Sequence, residues 1–133
     1  MTRVKLGKEV VIRMPNEIGL LSQIAKLIAE KGINVLAISG WTEGSTAVIH
    51  AVTSDNLRTA DALRGAGLDP IEQDAVLLEV DNKPGMLRKV TERLAGEGIN
   101  LNHLYAAALA DREAVLMVFS STNNARVLQY FPT

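Results

Sequence analysis

The stretch "PNEIGLLSQIAKLIAEKGINVLAIS", residues 15–39, has a second version in "DNKPGMLRKVTERLAGEGINLNHLY", residues 81–105. At a shift of 66 positions, the separation of Asn16 from Asn82, Gly19 falls on Gly85 and Leu21 on Leu87. Ala29 falls on Ala95, and Gly32-Ile33-Asn34 on Gly98-Ile99-Asn100. Conservative pairs fill the gaps: Ile12 with Leu78, Ile24 with Val90, Ile28 with Leu94, Val35 with Leu101 and Ile38 with Leu104. No gap is needed across a strand, a loop, a helix and a second strand. A period of this kind marks a duplicated structural unit.

Each copy spells the same order of elements. Val10, Ile12 and Met14 alternate with Val11 and Arg13, which predicts a strand with one strongly apolar face. "MPNEIG" reads as a loop. Leu20, Leu21, Ile24, Leu27 and Ile28 recur at helical spacing, and Gly32 supplies the left-handed residue that ends many helices. "INVLAISGWT" and "STAVIHAVTS" read as strands around a Glu43-Gly44 turn. Ser54 and Asp55 offer a cap for a second helix carrying Leu57, Ala60 and Leu63. "LDPIEQ" reads as a short last strand, with Pro70 suited to an edge. The second copy repeats this with "DAVLLEV", "DNKPG", a helix from Met86 to Glu97, the hairpin "INLNHLYAAAL" and "EAVLMVFSS", and a short helix in "NNARVLQYF" that Pro132 helps to stop. No residues remain for its last strand. The expected fold is therefore α+β: two tandem ferredoxin-like βαββαβ sandwiches, with antiparallel sheets and helices on one face, residues 1–73 and 74–133, the second copy lacking its last strand. That leaves a sheet edge to be covered. "TRVKLG", which aligns with "LDPIEQ" at the same shift, is one candidate to cover it; another subunit is the other.

Composition removes several function classes. The chain of 133 residues is 47% hydrophobic with a formal net charge of −1, so it has material for a core and no basic footprint for nucleic acid. It has no cysteine, which excludes thiol catalysis and thiolate metal sites. The N-terminus has no signal-peptide apolar region and no run is long enough to span a bilayer; the chain is read as cytoplasmic, with no membrane or nucleic-acid partner. Trp41, Tyr105 and Phe119 do not form the stacking pattern of an RNA-recognition sheet. His50 and His103 have no second His or carboxylate at ligand spacing, and read more simply as partly buried or interface residues. No catalytic residue, cofactor or metal site is expected.

The first loop of each copy carries the remaining chemistry. Both loops place Asn, two residues, Gly and two large apolar residues at a helix start. Glycine permits a sharp turn and close approach of a ligand. A helix start presents unpaired N–H groups to an anion. The Asn amide can donate or accept. An α-amino acid, with one carboxylate and one ammonium, suits such a set. The same asparagines could equally brace a turn.

With the Gly-Ile-Asn junction, and doubled in one small chain, these features resemble ACT domains. The match is stronger in the second copy, with its Asn-x-Pro-Gly loop; Ile18 stands where that copy has Pro84. The chain is most similar to stand-alone proteins made of two ACT domains and no enzyme. The resemblance implies a non-catalytic regulatory module that binds an amino acid and acts through ligand-linked assembly or contact with a partner, such as a regulated enzyme. ACT domains usually pair side by side and hold ligand between the first loop of one domain and strand residues of its neighbour. Carried onto this chain, the ligand loops are Asn16, Glu17, Ile18, Gly19, Leu20 and Leu21, and Asn82, Lys83, Pro84, Gly85, Met86 and Leu87. Asn34 and Asn100, at the start of the next strand, could complete a site. Some serine-binding members carry a His two residues before the loop Asn, where this chain has Met14 and Val80. An interaction protein that keeps the fold without a ligand is the alternative. "AVLMVF", residues 114–119, is apolar on both faces, which points to a homodimer or an intramolecular sheet-face contact.

Overall fold

A computed structural model of the chain describes residues 2–132; Met1 and Thr133, the outer limits of the two expected domains, lie outside them. The elements are β1 (Arg3–Pro15), α1 (Leu20–Glu30), β2 (Val35–Glu43), β3 (Thr46–Thr53), α2 (Asn56–Gly65), β4 (Ile71–Asp81), α3 (Met86–Gly96), β5 (Leu101–Ala107), β6 (Ala114–Ser121) and α4 (Asn124–Val127). They form two compact units, a first of residues 8–73 and a second of residues 2–7 with 74–132. β1 and β4 each pass from one unit to the other.

In the first unit the strand order is β2-β3-β1-β4. β3 lies antiparallel to both β1 and β2, so β1 and β2 run in the same direction. Val10 and Ile12 of β1 and Ala47 and Ile49 of β3 meet Leu20, Ile24 and Ile28 of α1 and Leu63 of α2 in one buried cluster. These are the positions that alternate along the strands and recur along the helices. α1 ends as its sequence requires: Gly32 has φ +69°, and the Ile33 N–H reaches back to the Ile28 carbonyl, which closes the last turn. Asp55 caps α2 by accepting from the Arg58 N–H at 3.1 Å.

The second unit has the order β1-β4-β6-β5, its β1 part being Arg3–Gly7. The missing last strand is thus supplied by the N-terminus of the same chain, the first of the two possibilities raised by the repeat. Val4 joins the core of Leu78, Val90, Leu94, Phe119 and Val127, and its N–H donates to the Pro132 carbonyl at 2.7 Å. Gly7 leaves room for this strand, since a Cβ there would come within 2.9 Å of Leu77 Cδ1. "TRVKLG" and "LDPIEQ" do not form separate strands: Arg3–Gly7 is the first part of β1 and Ile71–Gln73 the first part of β4, while residues 68–70 lie outside any strand.

Local details repeat as well. Thr53 and Ser121 each donate N–H and hydroxyl to an Asn three residues on, Asn56 and Asn124. Those asparagines donate in turn to the carbonyls of Lys8 and Asp74. From Thr53 to Ser121 the separation is 68, not 66. The second copy therefore carries two extra residues between β5 and β6, and that insertion alters the site described next.

Candidate ligand site

β1 ends at Pro15, paired with Thr46 at the start of β3, and the Asn16 N–H donates to the Ser45 carbonyl in the β2–β3 turn at 2.7 Å. The loop that follows reaches α1 through Gly19, whose φ of +87° a side chain would strain. α2 and α4 have side-chain caps, but α1 and α3 start without one. The Leu20 N–H turns back to the Glu17 carbonyl, and the Gln23 N–H to that of Gly19. Between them the Leu21 and Ser22 N–H groups have no acceptor among the described residues. A bare helix start favours an anionic group.

Next to it lies a hollow of about 570 Å3. Its rim is Asn16, Glu17 and Gly19; its apolar walls are Leu20, Leu21, Ile38, Ala47 and Ile49, with Gly40, Trp41 and Thr42 along the edge strand. The Asn16 side chain is exposed and makes no hydrogen bond among the described residues. Trp41 donates its indole N–H to Glu43 at 3.1 Å, and Arg13 pairs with the other oxygen of that carboxylate at 3.2 Å. The indole and then the guanidinium hold the Glu43 carboxyl below its usual range.

The second unit has a matching hollow of about 450 Å3, between the Asn82 loop and β5. Each wall has its counterpart, 66 residues on up to the edge strand and 68 beyond the insertion: Met86 for Leu20, Leu104 for Ile38, Ala106 for Gly40, Val115 for Ala47 and Met117 for Ile49. The rims differ. Both amide hydrogens of Asn82 are committed, to the Leu109 carbonyl at 2.8 Å and the Arg112 carbonyl at 2.9 Å. Those carbonyls belong to the longer β5–β6 connection. Asn82 therefore braces a turn, the bland alternative for this residue type, and Asn16 does not. Replacing Asn82 with Ala should lower stability by about 1–2 kcal/mol, the loss of two partly hydrated hydrogen bonds. Asn16→Ala should stay within about 0.5 kcal/mol of the parent. Urea denaturation of both variants checks this, and equal losses would contradict it.

Of the expected site residues, Asn16, Glu17, Gly19, Leu20 and Leu21 line the first hollow, and Asn82, Lys83, Met86 and Leu87 the second. Ile18 is fully exposed on its loop and is not among the residues lining the hollow. Pro84 and Gly85 likewise do not line the second hollow. Asn34 and Asn100 are not brought to the loops of their own units. Each stands at the far end of its edge strand, about 26 Å away along the nine residues of β2 and about 20 Å along the seven of β5. Their backbones lock that end to the next strand, Asn34 with Ser54 and Asn100 with Thr122. The wall residues Ile38, Gly40 and Thr42 were missed by reading the loops alone; their two-residue alternation on an edge strand was the available signal. A larger hollow, about 990 Å3, lies elsewhere, between α3 and Tyr130–Pro132, and its Arg88–Glu92 and Arg93–Glu97 side chains already pair with each other.

Among the described residues no group of three or more His, Asp or Glu could hold a metal ion, and no helix is long and apolar enough to cross a membrane. Residues 8–64 match the family model described as the ACT domain. Protein BT0572 from Bacteroides thetaiotaomicron is similar over 96% of this chain and 87% of its own, with a TM-score of 0.88 and 22% identity. The regulatory subunit of aspartate kinase from Thermus thermophilus is similar over 96% of this chain and 93% of its own, with a TM-score of 0.66 and 16% identity. The corresponding subunit from Thermus flavus follows at 89% and 85%, a TM-score of 0.60 and 18% identity. At these identities the likeness is one of fold. A search of curated proteins gave no match.

Proposed function

We infer that this chain, whose residues 8–64 match the ACT-domain family model, is a non-catalytic sensor that binds a small ligand, an α-amino acid, at the Asn16 loop. The observation that carries this reading is the first hollow, where an uncapped helix start, an uncommitted asparagine and an apolar cavity meet. The likeness to regulatory subunits of aspartate kinase supports it. A partner enzyme is the natural recipient of the signal.

A second copy of the chain completes the site in this reading. β2 ends the strand order of its unit, and so presents unpaired backbone groups. Leu36, at a β-bulge and 53% exposed, and Leu21, 51% exposed, add apolar surface beside that edge. Antiparallel pairing of β2 with β2 of a second copy would bring the second copy's Asn34 to the end of the strand where the Asn16 loop lies. That is how Asn34 would enter a site it cannot reach within its own unit. Ligand held by two copies would bind the pair better than the single chain, and such a difference in affinity is what regulation requires.

The test is thermal stability against the free amino acids, with Trp41 fluorescence as a second readout, because the chain's only tryptophan lines the hollow. A ligand at one hundred times its Kd should add about 2.7 kcal/mol. Sedimentation should show a dimer that the ligand strengthens. No response from any amino acid at millimolar concentration would leave the ligand-free interaction protein as the better account.

A further inference from the structure

We propose that the two hollows have diverged, so that each chain binds one ligand, at the Lys8–Gln73 unit, and that this ligand is an α-amino acid with an uncharged, largely apolar side chain. The proposal rests on the binding reading above and adds which site is active and what it selects. Three differences between the copies carry it. First, the amide that is uncommitted at Asn16 is tied at Asn82 to two carbonyls of the lengthened hairpin. An amide with both hydrogens used can offer a ligand only its oxygen.

Second, the charge beside that asparagine is reversed. Glu17 on the first rim is a carboxylate that can meet an α-ammonium; its counterpart is Lys83, paired with Asp81 at 3.9 Å. A ligand in the same pose would there bring one cation against another. Third, the second hollow is smaller, about 450 Å3 against about 570 Å3. Gly40, where an added Cβ would meet only Ile49 at ordinary contact distance, is replaced by Ala106, and Ala47 by Val115.

Selectivity follows from the walls of the first hollow. Beyond the rim they are Leu20, Ile38, Ala47 and Ile49, with no cation among the lining residues and Glu17 as the sole anion. An acidic side chain would be desolvated with nothing to pair with. A basic one would compete with the ligand's own ammonium for the single carboxylate. A neutral apolar side chain buries against the walls at no such penalty.

Calorimetric titration of the full chain with leucine, phenylalanine, aspartate and lysine tests this, with Glu17→Lys as the variant. The expected result is one site per chain, leucine or phenylalanine bound at least tenfold more tightly than aspartate or lysine, and loss of binding in Glu17→Lys with an unchanged melting temperature. Two sites per chain, equal or tighter binding of a charged amino acid, or full binding by Glu17→Lys would each overturn the proposal while leaving the sensor reading intact. If Glu17→Lys melts early, Glu17→Gln, which removes the charge without reversing it, should still weaken binding at least tenfold; unchanged binding there would overturn the proposal. No heat from any of the twenty common amino acids would sink the sensor reading and this proposal with it.

Discussion

Val4→Asp should destabilise the second unit by about 4 kcal/mol or more, while Lys5→Asp should change stability by less than about 0.5 kcal/mol. The two positions are adjacent in one strand and carry the same new residue, so the contrast isolates the face each side chain occupies. Val4 is 1% exposed and packs with Phe119 and Val127; Lys5 is exposed. Burying a valine contributes about 1.5–3 kcal/mol, and a carboxylate in its place adds an unpaired buried charge. Urea denaturation should show the loss, and amide exchange should place it in residues 74–132. Equal effects of the two substitutions would mean that the N-terminal strand does not complete this core in solution.

Glu9→Ala should lower stability by about 3 kcal/mol, because it removes the acceptor from a buried polar group. Glu9 is 1% exposed, accepts from Gln73 Nε2 at 2.8 Å and lies 3.0 Å from His50 Nδ1. The His50 ring stacks on Trp41 at 5.2 Å between centroids, and Trp41 lines the first hollow. The substitution should therefore also change Trp41 fluorescence in the absence of any ligand. Glu9→Gln keeps an acceptor and should recover part of the stability. A Glu9→Ala protein with parental stability and emission would show that the carboxylate has no such supporting role.

The repeat made most of this fold legible. One shift located both helix starts, at Leu20 and Met86, and both glycine stops, at Gly32 and Gly98; Asp55 was readable as a cap. What stayed hidden depends on contacts distant in sequence. Glu9 reads as a solvated charge because its partners are 41 and 64 residues away. β1 and β4 read as pairs of short strands because each crosses a polar patch, Lys8-Glu9 and Gln73-Asp74, that belongs inside a continuous strand. Asn16 and Asn82 look equivalent in the loops. Only the carbonyls of a hairpin 27 and 30 residues further on separate them. Asn34 and Asn100 aligned well as residues, yet alignment does not say which end of a strand faces which loop.

The strand borrowed from the N-terminus also sets an order of events during synthesis. The first unit has all its residues once Gln73 has emerged, and can fold while the chain is still growing. The second unit cannot close then, because its first strand residues and its last stand almost a full chain length apart. The bond from Val4 to Pro132 has to wait for both ends. Contacts of such long range are slow to form and close a large loop. In sequence the first unit is thus inserted between the two segments of the second, and residues 3–7 are made early but kept waiting until residues 74–132 can use them.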